Sequence, residues 1–224
     1  MVYPGIESLG SFDAWINATD QLKFLQINHF PLIVGLWNLL IIIVPFWAGR
    51  WLWLLAQKNE WRITSWQFWF SGLLWILFIP NTAYLIVDIR HLEGFCQAGP
   101  DFYRICDNNA WMIPFFFLLG AVGWWSLVML VGQVAAAARL VWGRFASWLL
   151  EMIILPLIAL GVLMGMLDRW NSWQAVLDLP GVWASALSFI NNPLRLRDWI
   201  VYSAVFYLLY FGGHAILRKG SLRG

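Results

Sequence analysis

Charge is scarce in this chain: of 224 residues, 12% are Asp, Glu, Lys or Arg and 61% are hydrophobic. Soluble domains carry about 25% charged and about 45–50% apolar residues, so a water-soluble composition is excluded. Two cysteines are too few to staple a small disulfide-rich scaffold. No period-two alternation of polar and apolar residues runs through the hydrophobic segments, which argues against a membrane β-barrel. Residues 1–28 have no basic start followed by an apolar run, so no signal peptide is expected there. Phosphate-binding glycine loops, nucleophile elbows and HExxH zinc pairs are all missing. No internal repeat is visible, which counts against a stand-alone secondary transporter.

What is present is apolar length. Five runs, 30–49, 66–87, 111–133, 145–167 and 199–217, are each long enough to cross the roughly 30 Å hydrocarbon core of a bilayer. Only helices and closed barrels satisfy every backbone group in lipid, so the expected fold is all-α: a polytopic helical membrane protein with five spans plus interfacial helices. Residues 29–218 form one transmembrane domain in this reading, preceded by an amphipathic surface segment, 1–28, and followed by a basic tail, 219–224. The third run continues to Ala138, beyond what one crossing needs, and its alanine-rich end is expected to be exposed. A second surface helix is expected over 172–192, beginning near Ser172.

Five crossings place the termini on opposite sides. The side holding the N-terminus has six basic residues, Lys23, Arg90, Arg104, Arg169, Arg195 and Arg197, spread over long segments. The other has eight, Arg50, Lys58, Arg62, Arg139, Arg144, Arg218, Lys219 and Arg223, in short loops and flanks. Cytoplasmic loops carry the Lys/Arg excess, so the N-terminus is expected outside and the C-terminus in the cytoplasm. Both cysteines, Cys96 and Cys106, fall in one outer loop, where a disulfide would persist. Two separate thiols remain equally open, since spacing does not show loop geometry.

Pro45, Pro80, Pro114 and Pro156 fall in or near spans, where each can kink its helix by deleting a donor. Gly161 and Gly165 form a small-xxx-small pair that permits close helix packing, within the bundle or between two copies.

Two polar constellations interrupt the greasy pattern. In FIPNTAYLIVDIRHL, residues 78–92, helical periodicity sets Asn81, Tyr84, Asp88 and His91 on one face. A polar stripe at a span's end should face protein or water. A structural role is open to the same residues: Asn81 bracing the proline kink, Tyr84 in the interfacial aromatic belt, Asp88 and His91 solvated. The second constellation is DRWNSWQ, residues 168–174. Asn171 and Gln174 have capping-box spacing, Trp170 and Trp173 suit an interface, and Arg169 can pair with Asp88 or Asp168. Asp88 and His91 have acid/base chemistry, but no serine or cysteine nucleophile stands beside them. His29, Asp88 and His91, with Glu93 or Asp168, have ligand chemistry for zinc or iron, yet no recognisable pairing supports a metal. Near the other membrane face, Glu151 is expected to pair with Arg144 or Arg139, and His214 to be interfacial.

In these two motifs the chain resembles the bacterial membrane proteins called domain of unknown function 1361. The family pattern reads near F-P-N-A-P-Y followed by T-D-x-x-H-L, which Pro80, Asn81, Tyr84, Asp88, His91 and Leu92 match. Its later pattern, near G-R-F-L-R-W-N-S-W-D, is matched by Gly165, Arg169, Trp170, Asn171, Ser172 and Trp173. Thr82-Ala83, Val87, Met166 and Gln174 depart from it, and the missing arginine and aspartate weaken a full charged catalytic set. The resemblance implies membrane class and a site location only, with no activity; the expected location is a bacterial inner membrane.

The expected function is that of a non-enzymatic scaffold, assembly factor or small-ligand binder, with Asn81, Tyr84, Asp88, His91, Asp168, Arg169, Trp170 and Asn171 clustered on the extracytoplasmic face. A membrane enzyme acting on a lipid or isoprenoid, with Asp88 and His91 as acid/base groups, is the alternative, and a transporter component the third. The partners expected are the bilayer and either another membrane protein or a second copy, with no nucleic acid. No cofactor is read from the sequence.

Overall fold

The computed structural model describes residues 26–27, 30–58, 65–92, 97–98, 104–105 and 110–221. These form helices α1 (Leu32–Ile41), α2 (Ile43–Gln57), α3 (Trp66–Phe78), α4 (Pro80–Val87), α5 (Met112–Trp142), α6 (Arg144–Leu167), α7 (Gln174–Leu177), α8 (Leu179–Asn191) and α9 (Pro193–Ser221). A 3-10 turn, Asp88–His91, continues α4. Two-residue antiparallel pairings join β1 (Gln26–Ile27) to β2 (Phe30–Pro31) and β3 (Gln97–Ala98) to β4 (Arg104–Ile105). The fold class is all-α. The chain divides into two compact units, Met1–Leu39 and Leu40–Gly224. The first contains the β1–β2 pairing and most of α1; the second contains the end of α1 and all the later elements.

Five helical stretches are long and apolar enough to cross a membrane: Gly35–Gln57, Trp66–His91, Met112–Trp142, Arg144–Leu167 and Pro193–Leu217. They outrun the apolar segments read from sequence, and the first is displaced past Arg50. Backbone hydrogen bonds within a helix do not stop where lipid stops. At 1.5 Å per residue the 31 residues of α5 reach about 46 Å, well beyond the roughly 30 Å hydrocarbon core.

Within the second unit, α5 is the central element and packs against α2, α4, α6 and α9. Leu55, Trp75, Leu130, Leu155, Ile158 and Tyr210 belong to one continuous buried cluster. The alanine-rich end of α5, expected to be exposed, is part of that core instead: Ala135, Ala137 and Ala138 are buried. Small side chains there admit neighbouring helices closely, in the manner of membrane helix interfaces. Gly143 alone separates α5 from α6, and its φ of 89° is a left-handed value that a side chain would strain. Its N–H donates to the Arg139 carbonyl and its own carbonyl accepts from Ser147 N–H, so one residue closes one helix and opens the next.

The four prolines behave differently. Pro114 occupies the third position of α5, where the missing donor has no intrahelical partner to lose, so it starts that helix rather than kinking it. Pro45 lies inside the helical stretch Gly35–Gln57, just past the break at Ile42 between α1 and α2, where it removes the donor to the Ile41 carbonyl. Pro156 lies inside α6 and deprives the Met152 carbonyl of its ordinary donor. The Tyr207 hydroxyl of α9 donates to that carbonyl at 2.5 Å, and Trp199 Nε1 donates to the Pro156 carbonyl at 2.8 Å. Pro80 opens α4, which Ile79 alone separates from α3. Glu151 also departs from expectation. It accepts a hydrogen bond from the buried Tyr210 hydroxyl at 2.8 Å, and no arginine among the described residues pairs with it.

Candidate functional site

The site is built around α4. Glycines on its two neighbours, one on α5 and two on α6, admit this short helix closely. A Cβ on Gly123 of α5 would lie 2.5 Å from the Thr82 carbonyl oxygen and 2.8 Å from Leu85 Cβ. A Cβ on Gly161 of α6 would lie 2.7 Å from Pro80 Cγ, and one on Gly165 would lie 3.3 Å from the Trp170 carbonyl oxygen and 3.4 Å from Tyr84 Cε2. The small-xxx-small pair of α6 is therefore occupied within the chain, gripping Pro80 and Tyr84.

At the break, Asn81 uses both amide hydrogens. Its Nδ2 donates to the Phe78 carbonyl at 3.1 Å and to Ser172 Oγ at 2.9 Å. One side chain thus braces the proline bend and ties it to DRWNSWQ, 91 residues away. Thr82 Oγ1 donates to the Ile79 carbonyl at 2.7 Å, completing the local bracing.

Farther along, the 3-10 turn advances about 120° per residue where an α-helix advances about 100°. The single polar stripe expected from α-helical spacing consequently divides. Tyr84 and Asn81 stay on the α6 side, whereas the His91 ring stacks on Phe116 of α5 with centroids 6.2 Å apart. Asp88 is 3% exposed and so is not a solvated carboxylate; its Oδ1 lies 3.7 Å from His91 Nε2. Arg90 returns over Tyr84. Its guanidinium carbon sits 5.4 Å from the Tyr84 ring centroid, one nitrogen donates to the Tyr84 hydroxyl, and another donates to the Met166 carbonyl at 3.2 Å.

The α6 end turns back on itself. The Met164 carbonyl accepts from both Asp168 N–H and Trp170 N–H, and Arg169 between them holds a φ of 62°. Such a left-handed conformation costs a residue with a Cβ roughly 1–2 kcal/mol. Trp170 runs to α8, where a Cβ on Gly181 would meet its Cη2 at 2.8 Å. Gln174 Oε1 accepts from Asn171 N–H at 2.6 Å, the back-bonding half of a capping box, and α7 starts at Gln174 rather than near Ser172.

Both motifs that shape this geometry fall inside residues 37–211, which match the family described as Protein of unknown function (DUF1361). The chain belongs to this family. No curated protein and no solved structure matches it. With five membrane-crossing helices, this DUF1361 chain is an integral membrane protein.

In the DUF1361 chain, Arg169 does not pair with Asp168. That carboxylate is taken by Arg195, whose two terminal nitrogens donate at 2.8 and 2.9 Å, and by Ser185 Oγ at 2.6 Å. Arg195 also stands over the Phe189 ring at 5.1 Å and donates to Ser188 Oγ. Among the described residues no carboxylate lies within ion-pair range of Arg169 or Arg90. Sequence reasoning passed over Arg90, Arg195, Ser172 and Ser185 as site residues. Arg90 is six residues from Tyr84, a separation that α-helical periodicity puts on different faces and the 3-10 turn brings together. Arg195 carried a usable signal: Asn192-Pro193 reads as a helix cap followed by proline at N1, and Asn192 Oδ1 does accept from Leu194 N–H at 3.0 Å. That cap puts Arg195 in the first turn of α9.

The N-terminal segment through residue 25, His29, Glu93 and the cysteines Cys96 and Cys106 lie outside the described residues. No group of three or more metal-ligating side chains occurs among those described, so Asp88 and His91 have no third ligand there.

Proposed function

We propose that this DUF1361 protein is a non-enzymatic ligand binder, whose polar cluster at the ends of α4 and α6 recognises a small anionic group on the extracytoplasmic face. The observation that carries this reading is Arg169. A purely structural lock needs partners, and the locks already exist in Asn81–Ser172, Arg90–Tyr84 and Asp168–Arg195. Arg169 is exposed, holds a strained backbone and takes no part in them. Strained backbone concentrates at functional sites because selection tolerates its cost there.

The enzymatic alternative rests on Asp88 and His91. Against it stands the burial of Asp88, which is 3% exposed. The outward placement rests on the denser basic residues of the opposite side, with the N-terminus outside and the C-terminus inside a bacterial inner membrane. Self-association gains no support from Gly161 and Gly165, which are spent against α4.

Thermal melting of the purified protein against a panel of small anions and neutral solutes tests the binding reading. An anion should raise Tm in the unaltered protein and not in Arg169→Ala, whose ligand-free Tm should be no lower. Equal responses in both proteins would overturn it.

A further inference from the structure

We infer that the ligand is the phosphate-bearing headgroup of an anionic lipid, held by Arg169 and Arg90, with its acyl chains along the outward face of α8. This rests on the binding reading above and names its ligand class.

The headgroup part follows from charge. Arg90 and Arg169 are two guanidiniums without a carboxylate partner among the described residues. They come from one corner of the fold: Arg90 donates to the Met166 carbonyl and the Tyr84 hydroxyl, and the Tyr84 ring and the Trp170 carbonyl, next to Arg169, both lie against Gly165. Arg90 spends two donors on Tyr84 and Met166, which leaves the rest of its fork available. Planar guanidinium forks match phosphate oxygens bidentately, and basic sites between membrane helices suit anionic headgroups.

The acyl part follows from α8, whose sequence LPGVWASALSFIN has no charged residue. Its polar side is turned inward: Ser185 and Ser188 face the Asp168–Arg195 pair, beside the buried Phe189. Its outward stripe is apolar, with Leu179 63%, Trp183 63%, Leu187 39% and Ile190 57% exposed. A helix bathed in water carries the opposite arrangement. α8 also joins two membrane spans, ending at Leu167 and starting at Pro193, so the surface covering its stripe is lipid. Trp170 links the two parts, since it follows Arg169 directly and packs on Gly181 in the first turn of α8. A free phosphate would use the arginines and leave this stripe without a role.

The test uses the full chain in neutral detergent, with calorimetric titration of three probes: dioctanoyl phosphatidylglycerol, dioctanoyl phosphatidylcholine and glycerol phosphate. Phosphatidylglycerol should bind at least about tenfold more tightly than either other probe. A basic residue near anionic lipid is worth about fivefold, so Arg169→Ala should weaken phosphatidylglycerol by about that factor. Trp183→Ser, on the outward stripe, should weaken phosphatidylglycerol and leave glycerol phosphate unchanged. If glycerol phosphate binds as well as the lipid and Arg169→Ala abolishes both, the anion site stands and the lipid assignment falls. If both lipids bind alike and Arg169→Ala changes nothing, both readings fall.

Discussion

Replacing Gly161 with alanine adds one methyl group to the face of α6 that meets Pro80. At an open helical site such as Gly72 of α3, where nothing lies within 4 Å of the added Cβ, this change should stabilise by about 0.5–1 kcal/mol through reduced backbone entropy. At Gly161 the same gain is offset. The new carbon would stand 2.7 and 2.9 Å from two ring carbons of Pro80, whereas carbons rest at about 3.5–4.0 Å. A proline ring cannot rotate away, and α4 cannot retreat, because Gly123 on its other side is already closed against Thr82 and Leu85. Overpacking of this kind costs about 1–3 kcal/mol. Taking Gly72→Ala as the reference cancels the entropy gain common to both variants, so Gly161→Ala should be the less stable by about 1–3 kcal/mol. SDS titration in mixed micelles, followed by the fluorescence of the 18 tryptophans, measures the difference. Equal unfolding midpoints would refute the claim that α4 is clamped between two glycine faces.

Other expectations test separate parts of the same frame. Tyr207→Phe removes the donor to the Met152 carbonyl and should cost about 1–3 kcal/mol; in a Pro156→Ala background the helix supplies its own donor and the cost should shrink, a coupling that a double-mutant cycle reads. Asp168→Asn and Arg195→Gln should show a coupling of about 1 kcal/mol in the same kind of cycle, with additive effects arguing against a bidentate pair. Arg169→Gly should raise the unfolding free energy by about 1 kcal/mol through relief of its left-handed backbone while weakening ligand binding as Arg169→Ala does, and a fall in stability would show that the arginine is structural. A reporter fused at Gly224 should report a cytoplasmic C-terminus, and an external signal would invert the assignment of sides.

The membrane class, the helical fold and the number of crossings were determined by the sequence alone, because each reflects a local quantity. An uncharged run of sufficient length must satisfy its own backbone in lipid wherever it sits in the fold, and helices are the solution that needs no partner. The motif around Pro80 was equally legible as a bend carrying polar residues. Its pairings were not. Asn81 finds Ser172, Arg90 finds Tyr84 and Met166, and Asp168 finds Arg195 in place of the adjacent Arg169. Those choices depend on a 3-10 turn that shifts side chains off the α-helical stripe, a left-handed residue that swings Arg169 outward, and a cap that aims Arg195 inward. The alanine-rich end of α5 teaches the same lesson, since alanine is apolar enough for either environment and only the approach of neighbouring helices buried it. Hydropathy is a property of each segment, whereas a polar partner is a property of two segments brought together, and only the tertiary structure decides which two.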